Sequence, residues 1–543
     1  MSPTIDPVAE LRAAVAAAAA ELSGNGSSKT FSFDRPPKPE FGDYSTNAAM
    51  LLAPTLGEQP RAVAERLGGL VEERLADEVE KVAVAGPGFL NLFLSDSWYR
   101  DALGAALAAG DEFGGGTVAS AAERILVEFV SANPTGPITV ASARHAAYGD
   151  ALSRILEFAG HEVAREYYVN DEGGQVQRFG QSIKARARGE EPPEDGYHGG
   201  YVSELADQIE GAADMEEGEL ARRAVDLMID SVRATLERFG VQMDLYFFEH
   251  TVHENGEMAH ALAILDEHGH TYEHENALWL RTTRFGDDKD RVLRRSTGEF
   301  TYFGPDIAYH VDKRERGFDR LIDVWGADHH GYQQRTLAAW EALGGEPGRL
   351  ELIIMQLVNL VERGQRVQMS KRRGEFVTLD DLIDDIGVDA ARFFLLQRSH
   401  DTTLDLDLTL AREQSQDNPV YYVQYAHARI ASILRKAGEQ RVAEALAADY
   451  SEELHPSARA LLKRLLAFPD EVGIATERRA PHRITVYAHD AAQDFSAFYR
   501  DCRVVGAAEE GGDENFRIAL SVMAQRVLAR SLSLLGVSAP EHM

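Results

Sequence analysis

Residues 127–150 read VEFVSANPTGPITVASARHAAYGD, and the pattern of this segment indicates the fold class. The apolar run over residues 124–130 predicts a buried strand, the Pro and Gly residues after it predict a turn, and residues 143–159 have helical periodicity. Another strand is predicted over residues 162–169, directly after Gly160. A strand, a turn, a helix and a second strand in this order indicate the start of a parallel α/β unit.

The hydrophobic patterns on either side of this unit divide the 543 residues into three parts. Residues 1–112 combine helical segments with strand-like runs, which predicts a small α+β domain. Residues 120–408 are predicted to be the α/β domain, with strands resuming at residues 320–325 and a polar insertion around residues 180–300. Residues 409–543 have helical periodicity nearly throughout, so we expect an all-α domain there.

The charge of the chain is unusual. It has 88 Asp and Glu against 56 Lys and Arg, a net charge of −32, and only nine of the basic residues are Lys. Nucleic-acid-binding proteins are normally basic, so composition by itself argues against an RNA partner. Strong acidity with little Lys fits a protein kept soluble in concentrated salt, where charge repulsion is screened. The alternative is an ordinary acidic protein of the cytosol.

The cysteine content and the hydropathy exclude several classes of protein. The single cysteine, Cys502, excludes an internal disulfide and a zinc site made of several thiolates. No apolar run reaches the ~18 residues of a membrane span, and the Ala-rich segment at residues 13–20 lacks the basic flank of a signal peptide. We therefore expect a cytoplasmic protein with no structural zinc.

Two further regions carry side chains that suit a ligand. Residues 367–377, VQMSKRRGEFV, form a basic segment that suits a polyphosphate, although a solvated basic loop is the alternative. Residues 301–309, TYFGPDIAY, and residues 326–331, GADHHG, place acids, aromatic rings and imidazoles where open α/β sheets bind ligands. Without further ligands at helical spacing, the acid and imidazoles of GADHHG do not predict a metal site.

Taken together, these motifs resemble those of class I arginyl-tRNA synthetases. SANPTGP followed by a helix ending in YGD resembles the family's HIGH region, and QMSKR at residues 368–372 resembles its KMSKS loop. DNPVYYVQYAHARIAS at residues 417–432 is similar to the start of the anticodon-binding domain. FGDY at residues 41–44, GPGF at residues 86–89 and the terminal LLGVSAPEHM also resemble the family. The resemblance is collinear over nearly the whole chain.

The resemblance implies an architecture and an activity. The architecture is a Rossmann-type class I catalytic core between an α+β N-terminal tRNA-binding domain and an all-α C-terminal anticodon-binding bundle. The activity is the ATP-dependent activation of L-arginine and its transfer to arginine tRNA, with ATP used as its Mg²⁺ complex. The implied partners are arginine, ATP and arginine tRNA, and we expect a monomer with no membrane association.

The resemblance also assigns residues to the arginine substrate. A guanidinium carries five N–H donors and a permanent charge, so its pocket needs carboxylates and planar acceptors. By resemblance, Asp306 and Tyr302 receive the guanidinium, and Glu128 and Asn133 lie near the α-amino end. The alternative for Asp306 is a structural role as the N-cap of a helix after Pro305.

Other residues are assigned to ATP, catalysis and tRNA by the same resemblance. Lys371 is expected to neutralise the charge that develops on pyrophosphate. The expected ATP contacts are Pro134, Gly136, Asp328, His329, Met369, Ser370 and Lys371. The candidate tRNA contacts are Phe41, Tyr44, Tyr422 and Met543, because unstacked bases are read by aromatic stacking and hydrogen bonds. The alternative for the tyrosines of residues 417–432 is packing inside the helical bundle.

Two departures from the family motifs bear on catalysis. Thr139 and Ser142 stand where the family's HVGH has its histidines, and Gln368 stands where its loop usually begins with lysine. We predict that the hydroxyls of Thr139 and Ser142 partly replace the lost imidazoles as catalytic donors. The departures favour an alternative, a synthetase-like tRNA-binding protein with decayed catalytic motifs, whereas the retained arginine-site residues oppose it. A cysteine-specific synthetase is excluded because one Cys cannot supply zinc thiolates.

Overall fold

The structure, a computed structural model, describes residues 6–24, 30–36, 38–118, 121–367, 377–451 and 453–543. Its N-terminal part packs four helices on an antiparallel sheet of order β1-β2-β4-β3. The helices are α1 (Pro7–Leu22), α2 (Ala48–Leu56), α3 (Pro60–Leu75) and α4 (Asp96–Ala109). The strands are β1 (Phe33–Asp34), β2 (Tyr44–Thr46), β3 (Val79–Ala85) and β4 (Phe89–Leu94). This confirms the predicted α+β domain.

The central part is built on a five-stranded sheet in which all neighbouring strands are parallel. In chain order its strands are β5 (Arg124–Glu128), β6 (Glu162–Val169), β7 (Leu245–Phe248), β11 (Arg320–Gly326) and β12 (Leu350–Met355). The spatial order is β12-β11-β5-β6-β7. The sheet therefore grows from β5 in one direction and then, from β11, in the other, which is the doubly wound order predicted for a Rossmann-type core.

The long connections of the central part are mainly helical. Helix α5 (Val140–Ala159) joins the first two strands of the sheet, and α6 (Gly174–Ala187), α7 (Gly200–Gln208) and α8 (Glu217–Arg238) follow β6. After β7 come α9 (Glu249–Glu254), α10 (Glu257–Glu267) and an antiparallel sheet of β8 (Thr271–His274), β9 (Ala277–Leu280) and β10 (Arg291–Arg294). Helices α11 (Phe303–Glu315) and α12 (Gln333–Ala342) flank β11. The elements from α7 to β10 lie in the region predicted as an insertion, but β7 among them belongs to the five-stranded sheet.

Helix α5 is held unusually close to the sheet. A Cβ atom on Gly149 would lie 2.1 Å from Cγ of Phe129, so only glycine permits this approach of helix and strand. The helix ends at Gly160, whose φ of 114° suits a residue without a side chain. The fully buried Arg144 donates to the carbonyls of Gln356 and Thr402, at 2.8 and 2.9 Å. The start of α5 is therefore fixed against the sheet and the segments after it.

The rest of the central part joins the sheet to the bundle. Strands β13 (Val358–Glu362), β14 (Gln365–Arg366) and β15 (Leu404–Asp407) form a small sheet beside α13 (Leu379–Leu396) and α14 (Leu408–Ala411). A reciprocal capping box between Thr378 and Asp381 starts α13. The fully buried Arg392 donates to Asp150 of α5 and to the carbonyl of Leu535 in the last part of the chain. This one side chain ties α5 to the C-terminal bundle.

The C-terminal part is helical, as predicted. Its helices are α15 (Pro419–Ala437), α16 (Glu439–Leu446), α17 (Pro456–Leu465), α18 (Phe468–Glu477), α19 (His482–Asp501) and α20 (Glu514–Leu534). Helix α15 starts at Pro419, after the N-cap Asn418, whose side chain accepts from the N–H of Val420. Across the described ranges of the chain, no helix is long and apolar enough to span a bilayer.

Candidate active site

A cavity of about 590 Å³ opens at the carboxyl edge of the five-stranded sheet. It lies beside β5 and β11, the strands at which the growth of the sheet reverses and where doubly wound folds bind ligands. The polar side chains that line it include Glu128, Ser131, Asn133, His145, Gln175, Glu249, Tyr302, Asp306, Asp328 and His329. The position at which the growth of the sheet reverses therefore coincides with a cavity that has a polar lining.

The turn that follows β5 has a strained backbone. Val130 and Ser131 have φ angles of 70° and 39°, a region that residues with a side chain rarely adopt. Ser131 Oγ donates to Glu128 Oε1 at 2.8 Å and accepts from the N–H of Tyr168 at 3.1 Å. These bonds hold the turn in place where the chain enters the cavity. Strained residues of this kind concentrate at functional sites.

Two carboxylates from different helices reach one end of the cavity. Glu249 is the first residue of α9, and Asp306 lies in the first turn of α11. Helix α11 begins at Phe303 with Tyr302 in the cap position, so Asp306 is not its N-cap. Burial raises the pKa of Asp306 to about 6, and burial together with the charge of Asp306 raises the pKa of Glu249 to about 7. A cation between the two would relieve both effects.

A buried ion-pair network holds Glu128 beside this acidic end. Lys313 Nζ, which is fully buried, lies 2.5 Å from Glu128 Oε2 and 2.8 Å from Asp323 Oδ1. The hydroxyl of Tyr309 lies 3.1 Å from Glu128 Oε2, but its nearer acceptor is Glu166. Burial would lower the pKa of Lys313, but Asp323 and Glu128 outweigh burial and raise it, so the amine remains charged. Glu128 therefore accepts from Lys313 and Ser131, with the Tyr309 hydroxyl packed beside it, and its position is closely defined.

The other end of the cavity lies after β11. Asp328 and His329 are largely exposed, with 83% and 55% of their side chains accessible, and Asp328 Oδ2 lies 3.6 Å from His329 Nε2. A Cβ atom on Gly326 would lie 2.6 Å from Asp328 Oδ1 and 3.7 Å from Cε1 of His145. The glycine therefore leaves room for these side chains at the strand end. Within the part of the chain that the structure describes, no group of three or more His, Cys, Asp or Glu is arranged to hold a metal.

Family models match consecutive parts of the chain. The model described as "Arginyl tRNA synthetase N terminal domain" matches residues 9–94. The model "tRNA synthetases class I (R), catalytic domain" matches residues 103–191 and 202–426, more than half of the chain. The model "DALR anticodon binding domain" matches residues 423–543. The chain belongs to the arginyl-tRNA synthetase family.

Individual relatives agree with this assignment over the full length. The arginine–tRNA ligase of Bacillus velezensis is 43% identical over 548 residues, which cover 98% of each chain. That of Moorella thermoacetica is also 43% identical and covers 98% of this chain and 97% of its own. The solved arginyl-tRNA synthetase of Thermus thermophilus has a TM-score of 0.78 at 26% identity, covering 98% of this chain and all of its own. These matches confirm the predicted family and fold class.

The structure brings together some of the site residues predicted from the family motifs. Six of them line the cavity: Glu128, Asn133, Tyr302, Asp306, Asp328 and His329. Pro134, Gly136, Thr139 and Ser142 do not line it. Thr139 forms a bridge with Thr378 and makes no side-chain cap bond to α5, so capping does not explain the residue. Its catalytic role and that of Ser142 remain predictions.

The predicted basic loop falls between two described segments of the chain. Gln368, Met369, Ser370 and Lys371 lie outside the described residues, which stop at Val367 and resume at Val377. Val377 is next to the start of α5, since the N–H of Val140 donates to the Val377 carbonyl at 3.2 Å. The roles of Met369, Ser370 and Lys371 at ATP therefore rest on the family resemblance alone.

The residues predicted to contact tRNA differ in exposure. Phe41 and Met543 are 43% and 52% exposed, so both side chains are accessible to a partner. Tyr44 is only 2% exposed, and its ring stacks on Phe33 with centroids 4.9 Å apart. The expectation that Tyr44 contacts tRNA is corrected by this placement, because a ring in the domain core cannot reach a base while the domain is folded.

The tyrosines of α15 occupy the surface and the interior of the bundle. Tyr422 is half-buried, and its hydroxyl donates to Ser496 Oγ at 3.2 Å, so part of this residue serves bundle packing. Tyr421 and Tyr425 stack on each other, with centroids 6.1 Å apart and an interplanar angle of 8°. The guanidinium of Arg429 covers Tyr425 at 4.7 Å from the ring centroid. This half-buried ladder offers flat faces of the kind that bases stack on.

Several residues of the cavity were missed by sequence reasoning. Glu249 directly follows β7, and an acid at the end of a parallel strand was a usable signal, but β7 lies inside the segment predicted as an insertion. Gln175, which accepts from Asn133 Nδ2 at 2.9 Å, comes from α6 in the same segment. His145 is three residues after Ser142 and hence on the same helix face, which was also a usable signal. Nothing in the sequence near Lys313 indicates its ion pairs.

Proposed function

We propose that this family member is an arginine–tRNA ligase, which activates L-arginine with ATP and transfers it to arginine tRNA. The observation that carries the proposal is the pair of carboxylates, Asp306 and Glu249, in one cavity at the switch point of the sheet. The alternative of a tRNA-binding protein with decayed catalytic motifs is not supported, since relatives named arginine–tRNA ligase match the chain over nearly its whole length.

The guanidinium of arginine is assigned to the acidic end of the cavity. It is planar and always charged, and its five donors suit two carboxylates that approach from different sides. Asp306 and Glu249 have raised pKa values without a cation, and a guanidinium between them would hold both ionised. Tyr302, whose ring is 77% exposed at the rim, is assigned to cover the bound side chain.

The α-amino group is assigned to the turn after β5. Glu128 already accepts from Lys313 and Ser131, but a carboxylate has about four acceptor positions, so there is room for an ammonium group. Asn133 donates to Gln175 at 2.9 Å, which orients its amide and leaves the side-chain oxygen available as an acceptor. Lys313, Tyr309 and Ser131 act as positioning residues for Glu128.

ATP, bound as its Mg²⁺ complex, is assigned to the opposite end. Asp328 and His329 at the end of β11 are placed at the adenosine. Thr139, Ser142 and the turn with Pro134 and Gly136 are placed at the phosphates, because the N-terminus of α5 favours an anion. By resemblance, the loop with Met369, Ser370 and Lys371 completes the phosphate site.

The reaction has two steps. In the first, a carboxylate oxygen of arginine attacks the α-phosphorus, the bond to the bridging oxygen breaks, and pyrophosphate leaves with the electron pair. In the second, a hydroxyl of the terminal tRNA ribose attacks the arginyl carbonyl, loses its proton, and AMP leaves. Binding both substrates in one cavity places the carboxylate near the α-phosphate and replaces a bimolecular encounter with an oriented one. Lys371 is expected to stabilise the departing pyrophosphate.

The C-terminal bundle is assigned to the anticodon region of the tRNA. Tyr421 and Tyr425 present stacked faces there, and Phe41 of the N-terminal part is a second accessible aromatic contact. Because the chain carries a net charge of −32, we expect these contacts to depend on stacking and hydrogen bonds more than on charge. We further propose that the protein is cytoplasmic and monomeric. Light scattering on the purified protein would test the monomeric state.

The proposal is tested by pyrophosphate exchange with each of the 20 amino acids, in the presence and absence of arginine tRNA. We expect exchange with arginine only, and strong exchange only when tRNA is added. Parallel reactions over a range of KCl concentrations keep an activity that needs salt from being overlooked. Exchange driven by another amino acid, or none with arginine at any salt concentration, would overturn the proposal.

A further inference from the structure

His145 is the one described side chain of α5 that lines the cavity. Its Cε1 atom lies within 3.7 Å of the position that a Cβ on Gly326 would occupy, so the ring stands directly over the end of β11. Asp328 and His329 line the same end of the cavity. The ring therefore lies at the end assigned to adenosine, away from Glu249 and the arginine pocket.

The His145 ring makes no hydrogen bond to any of the described residues, although it is half-buried. Burial lowers the pKa of His145 to about 4, and the nearby charges of Arg144 and His329 act in the same direction, while Asp328 opposes them. The ring is consequently neutral near pH 7. A neutral imidazole has one donor and one acceptor, and here neither is used by the protein residues described. Such a group in a cavity wall suits a ligand.

The position of His145 along α5 indicates which part of the nucleotide it meets. Phosphates are favoured at the start of a helix, whereas His145 lies six residues after the N-cap Thr139, about 9 Å along the axis. It is therefore closer to the strand end, where the nucleoside part is placed. A hydroxyl, which both donates and accepts, also matches a neutral imidazole better than a phosphate does.

We infer that His145 hydrogen-bonds a ribose hydroxyl of the bound ATP and so supplies an imidazole contact from one turn deeper than the family's missing histidines. The inference rests on the proposed function, since it takes ATP as the nucleotide of this cavity. On this inference His145 determines specificity for the ribonucleotide, and Thr139 and Ser142 contact only the phosphates.

The test compares ATP, 2′-deoxy-ATP and 3′-deoxy-ATP in tRNA arginylation by the wild type and by His145→Ala. The tRNA carries an intact terminal ribose throughout, so only the nucleotide substrate changes. We expect the wild type to prefer ATP to one of the deoxy analogues by about tenfold, the upper range for one hydrogen bond. His145→Ala should lose about tenfold in kcat/KM with ATP and almost nothing with that analogue.

Two further variants separate this role from a structural one. His145→Gln keeps a donor and an acceptor, so it should retain most of the preference for ATP. His260→Ala removes an exposed histidine that pairs with Glu315, and neither residue lines the cavity. The preference of this variant for ATP should equal that of the wild type. A variant that only folds poorly would lose activity equally with all three nucleotides.

The outcomes are distinct. A preference for ATP that collapses in His145→Ala and is retained in His145→Gln supports the inference. An equal loss with all three nucleotides, or no loss with any, overturns it. If the wild type itself does not attach arginine to tRNA, the proposed function fails first, and that result is visible before any variant is compared.

Discussion

Glu249 and Asp306 lie in the same cavity, and burial, with a smaller contribution from the charge of Asp306, raises the pKa of Glu249 to about 7. The two residues belong to α9 and α11, which are separated in sequence by α10 and a three-stranded sheet. Two acids are therefore brought together at a cost in electrostatic repulsion. A bound guanidinium turns that repulsion into two charge-assisted hydrogen bonds.

Replacing either acid should damage arginine recognition selectively. We expect Asp306→Asn and Glu249→Gln each to raise KM for arginine by roughly a hundredfold or more, because losing one partner of a buried charge costs about 3–5 kcal/mol. KM for ATP should change little. Glu315→Gln, at an exposed acid on the same helix as Asp306, is the matched control and should behave as the wild type. Equal changes in both KM values would contradict the assignment.

Arginine binding should weaken as the pH falls. The guanidinium needs ionised carboxylates, and in the unliganded protein the pKa values of Glu249 and Asp306 are about 7 and 6. Affinity is therefore complete above about pH 8 and falls as the pH passes below 7, by about tenfold to twentyfold at pH 6. Calorimetric titration with arginine at pH 6, 7 and 8 measures this, and proton release on binding should be largest at pH 6 and small at pH 8. An arginine affinity that does not change between pH 6 and pH 8 would count against Glu249 and Asp306 as the guanidinium site.

The buried ion pairs of Lys313 should matter for stability. Lys313→Met leaves Glu128 and Asp323 without their cation in a site with almost no exposure, so unfolding free energy should fall by about 3–5 kcal/mol. Arg223→Met breaks an exposed pair with Glu219 and should cost less than about 1 kcal/mol. Urea unfolding of both variants gives the comparison. Similar losses of unfolding free energy in the two variants would show that the buried ion pairs of Lys313 contribute no more than an exposed pair.

The altered phosphate turn should be active. Thr139→Val combined with Ser142→Ala should slow adenylate formation by at least ~10-fold, about 1.4 kcal/mol, if their hydroxyls donate to the phosphates in the transition state. Because Thr139 makes no side-chain cap bond to α5, the melting temperature should hardly change. Single-turnover adenylation measured beside a melting curve decides this. A lower melting temperature with an unchanged rate constant would remove the catalytic role.

Much of the architecture was predictable because helices and strands carry their own periodicity. The helix predicted over residues 143–159 lies within α5, and the strand predicted over residues 162–169 is β6. The order of these elements, with apolar strands alternating with helices, was enough to indicate a parallel sheet. Domain boundaries depend on the same local signals, whereas the residues at the sheet edge depend on how the strands are ordered in space.

The parts of the site that could not be predicted depend on contacts between distant segments. Lys313 and Glu128 are 185 residues apart, and nothing near either residue indicates the other. The positive φ angles of Val130 and Ser131 also have no local signal, since neither residue favours that conformation. Glu249 was missed because its strand was hidden in a polar segment. Motif resemblance pointed to Asp306 and Asn133, which line the cavity, but not to Glu249.

Aminoacylation of arginine tRNA with arginine and with citrulline, its neutral analogue of nearly the same shape, tests directly whether the two carboxylates recognise the guanidinium. If Asp306 and Glu249 hold the guanidinium, the protein attaches arginine and discriminates against citrulline by several orders of magnitude, because the analogue leaves buried carboxylates without a cation. Discrimination should fall sharply in Glu249→Gln. Comparable charging with both amino acids, or no charging with arginine, would contradict the account.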